Sequence, residues 1–439
     1  MFDGRCTVRL YNSLAGLVIV TIPASTSVSM LLARWGVVTL GITIPVSVAA
    51  DNLMLFIMLV TVLFSGSRKV LHNVVHNPVA RASTLLFSVL LLCVAYGSTP
   101  IEEAAVTLRK YADLAFVPLL MVAARDTESR RYAMLGFLTV MVVTALLSWL
   151  VGLHILALQK WMWAYDTPAF AMSPAIFRSQ VTQNVLMSYA VYLLALLASV
   201  PSAAKIRWWL AGLAALAGGS VLFMVQGKTG YLVLLALWVY FVWGALARHL
   251  RSLGRNISWR EGTGVGIFAL ILIFSAYFAS PRLHERLDIM AAEFQAWQPN
   301  MHNKTSTGER LEFYYNTFLL IKQHPLMGVG TGGFLTAYTQ QMQGKNVELT
   351  SNPHNEYLLI TAQVGLAGLA LLLYLFYIQW KYAAKLPSLF EQNAARGLVL
   401  TIAITALFNS PLLDHTEGLF FSFVSALLFA NLNADKRDN

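Results

Sequence analysis

An arginine and a histidine in the last third of the chain carry the strongest chemical signal. Arg310 stands in Gly308-Glu309-Arg310, and His354 in Asn352-Pro353-His354-Asn355-Glu356-Tyr357-Leu358. A neutral imidazole takes a proton from a hydroxyl near neutral pH, and a guanidinium is a fixed cation able to hold an anionic group. Asn352 reads as the N-cap and Pro353 as the first residue of a helix that runs on through the apolar stretch Tyr357–Trp380, which puts His354 in its first turn. The positive end of that helix disfavours imidazolium, so the ring is expected to stay neutral and act as a base.

The elements that must position these groups follow from composition. Hydrophobic residues make up 57% and charged residues 12% of the chain, and the mean hydropathy is +0.61. Soluble domains are roughly a quarter charged. An all-α polytopic membrane protein of about twelve transmembrane helices is expected, since ~20 apolar residues cross a bilayer. Apolar windows fall near Ser13–Leu32, Gly36–Phe64, Ser83–Tyr96, Val106–Ala123, Ala133–Leu153, Val181–Val200, Leu210–Val225, Gly230–Leu246, Gly264–Ala279, Tyr357–Trp380, Gly397–Phe408 and Leu419–Asn431.

Lys and Arg gather in alternate loops, around Arg5, Arg68, Arg125, Lys205, Arg251, Lys385 and Lys436. The positive-inside rule makes those loops and both termini cytoplasmic. An even number of passages then precedes Ser65, so Gly36–Phe64 is counted as one. The outward set is the turn at Ala33–Trp35, Gly97–Glu103, His154–Gln180, Gln226–Thr229, the long Ser280–Asn355 segment and Ser410–Gly418. The chain divides into 1–279, with nine transmembrane helices or ten if the second window splits, a large periplasmic loop at 280–355, and the C-terminal helices and tail at 356–439.

Further cations lie on that outward side, where the same rule makes them rare. Lys228 sits in the tight turn Gln226-Gly227-Lys228-Thr229-Gly230, and Arg178 closes Ala175-Ile176-Phe177-Arg178. A bound anion accounts for both, with contact to ordinary phospholipid as the plainer alternative. Arg109 and Lys110 fall inside an apolar window, where an ionisable group costs at least ~2.5 kcal/mol. They either snorkel to the interface or line a pocket for an anionic headgroup.

Within the long loop, Leu283–Trp297 and Glu309–Gln323 read as helices. The second shows Leu311, Tyr314, Phe318 and Ile321 as an apolar stripe expected to pack against the membrane domain. Gly328-Val329-Gly330-Thr331-Gly332-Gly333 lacks the strand of a dinucleotide-binding loop and is expected to be a flexible turn. Trp161, Trp163 and Tyr165 are either sugar-stacking surfaces or interfacial anchors, and His415 in Asp414-His415-Thr416-Glu417 either walls the site or merely sits at a helix start in the interface. Cys6 and Cys93 suggest neither a disulfide nor a thiolate metal site. The net charge of +10 belongs to membrane anchoring, and no nucleic-acid partner is expected.

Taken in order, Thr307-Gly308-Glu309-Arg310, Pro325-Leu326-Met327-Gly328-Val329-Gly330-Thr331-Gly332, and Pro353-His354-Asn355-Glu356-Tyr357-Leu358 with Val364-Gly365-Leu366-Ala367-Gly368 resemble the hallmark segment of the O-antigen ligase and polymerase superfamily. Leu108-Arg109-Lys110-Tyr111 and the Lys228 turn resemble further family positions, although the family usually shows Ser-Arg where this chain has Gly227-Lys228.

The resemblance implies a C-type glycosyltransferase fold in the bacterial inner membrane, with its active site facing the periplasm. Its donor would be undecaprenyl-diphosphate-linked O-antigen and its acceptor, in the ligase branch, a hydroxyl of lipid A–core oligosaccharide. His354 would take the acceptor's proton, and Arg310 and Lys228 would hold the diphosphate, assisted by Arg178, Arg109 and Lys110. Asn355, His415 and the aromatic residues of the 161–165 stretch would wall the site. No metal or other cofactor is expected, because fixed cations can neutralise a diphosphate and no Asp-x-Asp pair appears in an outward loop. An O-antigen polymerase, a protein O-oligosaccharyltransferase and a transporter remain as alternatives.

Overall fold

The computed structural model describes residues 28–64, 68–97, 99–166, 173–200, 203–254, 263–264, 266, 278, 281–299, 305–345 and 347–432. Among them there is no strand: apolar runs satisfy their backbone groups within helices, the solution a lipid environment demands.

Helix α1 (Val28–Thr43) turns back at residues 44–47 and returns as α2 (Val48–Phe64). The single passage expected over Gly36–Phe64 is therefore two helices, and the outward turn expected at Ala33–Trp35 lies inside α1. Pro45 is the physical reason. It has no N–H to continue the ladder, and the Val46 amide bonds back to Thr43 O at 2.8 Å, closing the helix. Most of the Ser13–Leu32 and Gly264–Ala279 windows, with Cys6, lies outside the described residues.

After α3 (Arg68–Val75) comes α4 (Pro78–Leu92), capped by the Asn77 side chain. One span was expected over Val106–Ala123. The chain instead forms α5 (Ile101–Lys110) and α6 (Asp113–Ala123), broken at Tyr111-Ala112. Glu102, Glu103, Arg109 and Lys110 are all exposed on α5, and a helix with that many charges is not stable in apolar surroundings.

Helices α7 (Thr127–Gly152), α8 (Gln180–Ala198), α9 (Ala204–Gly219) with a π turn to Met224, and α10 (Lys228–Ser252) follow. Then come α11 (Pro281–Ala296), α12 (Ser306–Gln323), α13 (Phe334–Gln341), α14 (Glu356–Ala383), α15 (Leu389–Phe408) and α16 (His415–Phe429). Among the described residues, five helices are long and apolar enough to cross a membrane: α7, α8, α9 with its π turn, α10 and α14. Shorter apolar helices occupy 31–43, 48–63, 78–92, 113–123 and 415–429. The chain is a multi-pass membrane protein.

Two ends of the bundle can be told apart by hydrogen bonds. The Asn77 side chain donates to Phe429 O (2.8 Å) and Asn431 to Arg125 O (3.0 Å), so α16 finishes beside the start of α4 and the α6–α7 turn. The opposite end gathers the α1–α2 turn with the starts of α6, α8 and α16, joined by the contacts of Asp51, Arg178, Asp113 and His415. Between them, Phe420 packs against Phe137 and Tyr189, with ring centroids 5.3 and 5.4 Å apart.

The 305–342 stretch builds a small core of its own from Phe313, Leu320, Phe334, Tyr338 and Met342, closed by Leu359 and Ala362 of α14. Its buried face on α12 is Glu312, Phe313, Asn316, Thr317 and Leu320 rather than the Leu311–Tyr314–Phe318–Ile321 stripe, and Phe318 is 50% exposed. Polar residues are tolerated inside because they bond to one another. Asn316 Nδ2 donates to Glu312 Oε1 (2.6 Å), and Gln341 Nε2 to Asn316 O (3.0 Å).

The glycine stretch after α12 is a packed plug, not the flexible turn expected. Val329 N and Gly330 N donate to Ala362 O and Gln363 O of α14 (both 2.9 Å), Thr331 Oγ1 to Leu90 O (2.7 Å), and Gly332 N to Gln363 Oε1 (2.7 Å). Gly330 and Gly332 have φ of 89° and 83°, and an added Cβ would strike Gly97 and Ala104, so backbone meets backbone where no side chain fits. The α14 helix kinks at Gly365 (φ 73°) to receive this plug against Leu326.

Candidate functional site

His354 sits just outside α14, not in its first turn. The N-cap is Asn355, whose side chain accepts from Leu358 N (3.0 Å). His354 itself adopts a left-handed backbone with φ 55°, a conformation that costs a non-glycine residue roughly 1–2 kcal/mol. Its surroundings hold it there. Its amide donates to Asn352 Oδ1 (2.8 Å), and the Tyr314 hydroxyl donates towards its carbonyl (3.2 Å). Backbone strain of this kind clusters at functional sites.

The 352–356 segment is laced to the connection between α15 and α16. Ser410 Oγ donates to Asn352 Oδ1 (2.8 Å), Asn355 Nδ2 to Leu407 O (3.0 Å), and Glu356 N to Asn409 O (3.0 Å). The Glu356 carboxylate, fully buried, accepts from Tyr111 Oη (2.8 Å) on one oxygen and Leu412 N (2.9 Å) on the other. The imidazole Nδ1 lies 3.4 Å from Asn409 Oδ1. Sequence reading missed Tyr111, Glu356 and Asn409 as parts of this site. Tyr111 lies beside the Arg109-Lys110 pair and Glu356 inside the histidine motif, but Asn409 bears no signal in its own neighbourhood.

Arg310 is brought to the same place by helical spacing. With Phe313 and Tyr314 it lies at i, i+3 and i+4 on α12; the Phe313 ring centroid is 6.4 Å from that of His354, and Tyr314 bonds the His354 carbonyl. Burial first, and then the Arg310 charge, hold the imidazole below its ordinary value of 6.5, while the Asn409 contact pulls the other way. Burial and the neighbouring cation both favour the neutral ring.

Lys228 stands on another pair of elements. It is the exposed first residue of α10, and the adjoining Gly227 and Gly230 lie against Asn184 of α8 so closely that a Cβ at Gly230 would clash with the Asn184 Cβ. Asn184 Nδ2 donates to Val225 O (2.8 Å), fixing the turn. Just before α8, Arg178 is largely enclosed. Its Nη2 is 3.0 Å from Asp51 Oδ2 and 2.7 Å from Ile44 O, so it clamps the α1–α2 turn. Burial pulls the Arg178 guanidinium's proton affinity down, and Asp51, Asp414 and Glu417 pull it back up.

The remaining sequence candidates have local duties. Trp161 is exposed and stacks on Phe177 with centroids 5.6 Å apart, and Tyr165 is exposed. Trp163 donates its amide to Ile176 O (2.7 Å), pairing the 160–165 stretch with the approach to Arg178. Asn355 has its side chain engaged at both ends, and His415 Nδ1 lies 3.2 Å from Asp113 Oδ2. Arg109 and Lys110 end α5 in the open.

A neutral base held beside a fixed cation can deprotonate a hydroxyl while that cation takes up charge on an anionic leaving group. Residues 212–373 match the family model described as O-antigen ligase, a stretch that includes Lys228, Arg310 and His354. No curated protein matches the chain.

Proposed function

We propose, from the match of residues 212–373 to the O-antigen ligase family model, that this chain transfers an O-antigen glycan from undecaprenyl diphosphate to lipid A–core oligosaccharide. The reaction takes place at the periplasmic face of the bacterial inner membrane, with both termini in the cytoplasm. The observation that carries the reading is the pairing of a strained, neutral His354 with Arg310 on the adjoining helix.

His354 takes the proton of the acceptor hydroxyl as its oxygen bonds to the anomeric carbon, and the bond from that carbon to the diphosphate breaks. The departing diphosphate keeps the electron pair, and Arg310 and Lys228 take up its charge, while Arg178, already matched by Asp51, holds the start of α8 against the α1–α2 turn. Attack opposite the leaving group inverts the anomeric centre. Arg109 and Lys110 add positive charge for the phosphates, and Trp161, Trp163, Tyr165 and His415 border the space for sugars.

Purified protein in proteoliposomes, given polyprenyl-linked glycan in EDTA, should make glycosylated lipid A–core only when lipid A–core is added. Lengthening of the glycan without an acceptor would make the protein a polymerase instead, and loss of transfer on chelation would refute the metal-free mechanism.

A further inference from the structure

The groups that act on the His354 ring come from two directions: Arg310 and Phe313 on α12, and Asn409 at the end of α15. Asn409 is the C-cap of α15, its amide bonded to Thr405 O at 2.9 Å. Its carbonyl accepts the Glu356 amide, the flanking Leu407 carbonyl accepts Asn355 Nδ2, and the flanking Ser410 hydroxyl donates to Asn352. The backbone bearing the Asn409 amide group is thus fixed to the backbone bearing His354 on either side of the contact. A carboxamide oxygen has no proton to give, so with Oδ1 3.4 Å from Nδ1 the contact is a hydrogen bond in the tautomer that carries its hydrogen at Nδ1.

We propose that Asn409 is the positioning residue for His354: its side-chain oxygen, held by the 407–412 clamp, selects the imidazole tautomer protonated at Nδ1 and leaves the Nε2 lone pair as the base. The logic is that of a base oriented by a third group, with a neutral amide in place of the carboxylate used in serine hydrolases. Glu356 and Tyr111 act at one remove by fixing Leu412 and hence the clamp. The proposal rests on His354 being the base, and it names the group on which that chemistry depends.

The test is nitrogen NMR on full-length protein with labelled histidine in lipid, where the signal lost in His354→Gln identifies His354 among the nine histidines. The neutral wild-type ring should show hydrogen at Nδ1, and Asn409→Ala should shift it towards the Nε2–H form. Hydrogen at Nε2 in the wild type overturns the proposal. In transfer assays Asn409→Ala should lower kcat about tenfold or more with little change in KM for donor, being part of the 10²–10⁴ a general base contributes. Asn409→Asp keeps the shape and the acceptor, and its charge favours imidazolium, so the acid limb of the kcat profile should move to higher pH. An unmoved limb overturns the proposal. Full transfer by His354→Gln would instead remove the base from the reaction, whatever tautomer the spectrum shows, which separates that failure from this one.

Discussion

Arg310 and Arg178 are the same residue type, drawn into the same expectation, yet they occupy opposite settings. Arg178 is 11% exposed at its side chain, with its counter-charge built in: Asp51, wholly buried, at 3.0 Å, and the Ile44 carbonyl beside it. Arg310 forms no ion pair among the described residues, and its charge acts on the His354 imidazole. A guanidinium neutralised by its own fold mainly holds helices together, whereas one left facing a base keeps its charge for an anion that arrives from outside. The difference teaches that a cation's counter-charge, more than its side of the membrane, sorts structure from chemistry.

The comparison breaks most directly at the open pair. His354→Ala should lower transfer by about 10²–10⁴-fold while donor still binds. Arg310→Ala should weaken donor binding, with Arg310→Lys intermediate because an ammonium lacks the planar fork. Neither should move the melting temperature in detergent much. Wild-type turnover by His354→Ala would end the assignment of the base.

At the closed pair the expectation is reversed, and stability is the readout. Removing one partner of a buried ion pair leaves the other uncompensated and costs about 3–5 kcal/mol. Asp51→Ala should therefore melt markedly lower, and Asp51→Asn with Arg178→Gln should regain most of the loss. If Asp51→Ala keeps its melting temperature and instead binds donor more tightly, Arg178 is a released phosphate cation and the distinction between the two arginines fails.

What the sequence reveals follows the range of the forces involved. Local rules found α11 and α12 within a few residues, because the His324-Pro325 stop acts along the chain, although α12 starts at Ser306 behind its Thr305 cap rather than at Gly308. They failed where a distant partner decides. The N-cap of α14 moved from Asn352 to Asn355 because the Asn352 oxygen is taken by the His354 amide and Ser410 Oγ. The buried face of α12 turned because Asn316 and Glu312 bond each other and Gln341 of α13 bonds the Asn316 carbonyl, so these polar residues can be buried. The glycine stretch reads as loose only when the unwound turn of α14 that it fills is out of view. Asn409 could not be found at all, since its meaning comes from a contact 55 residues away.

The finest distinction is electrostatic. Burial and the Arg310 charge both depress the proton affinity of His354, in that order, so the base stays unprotonated somewhat below the ordinary histidine value. A group with a depressed pKa is fully in its working form above its ordinary range, and activity falls only as the pH drops through the lower value. The acid limb of transfer should therefore lie below 6.5. Arg310→Gln removes the smaller of the two causes and leaves burial in place, so the limb should climb part of the way back. Arg178→Gln, acting on a guanidinium already matched by Asp51, should leave the limb where it is. A limb that ignores Arg310 but follows Arg178 would exchange the roles given to the two arginines.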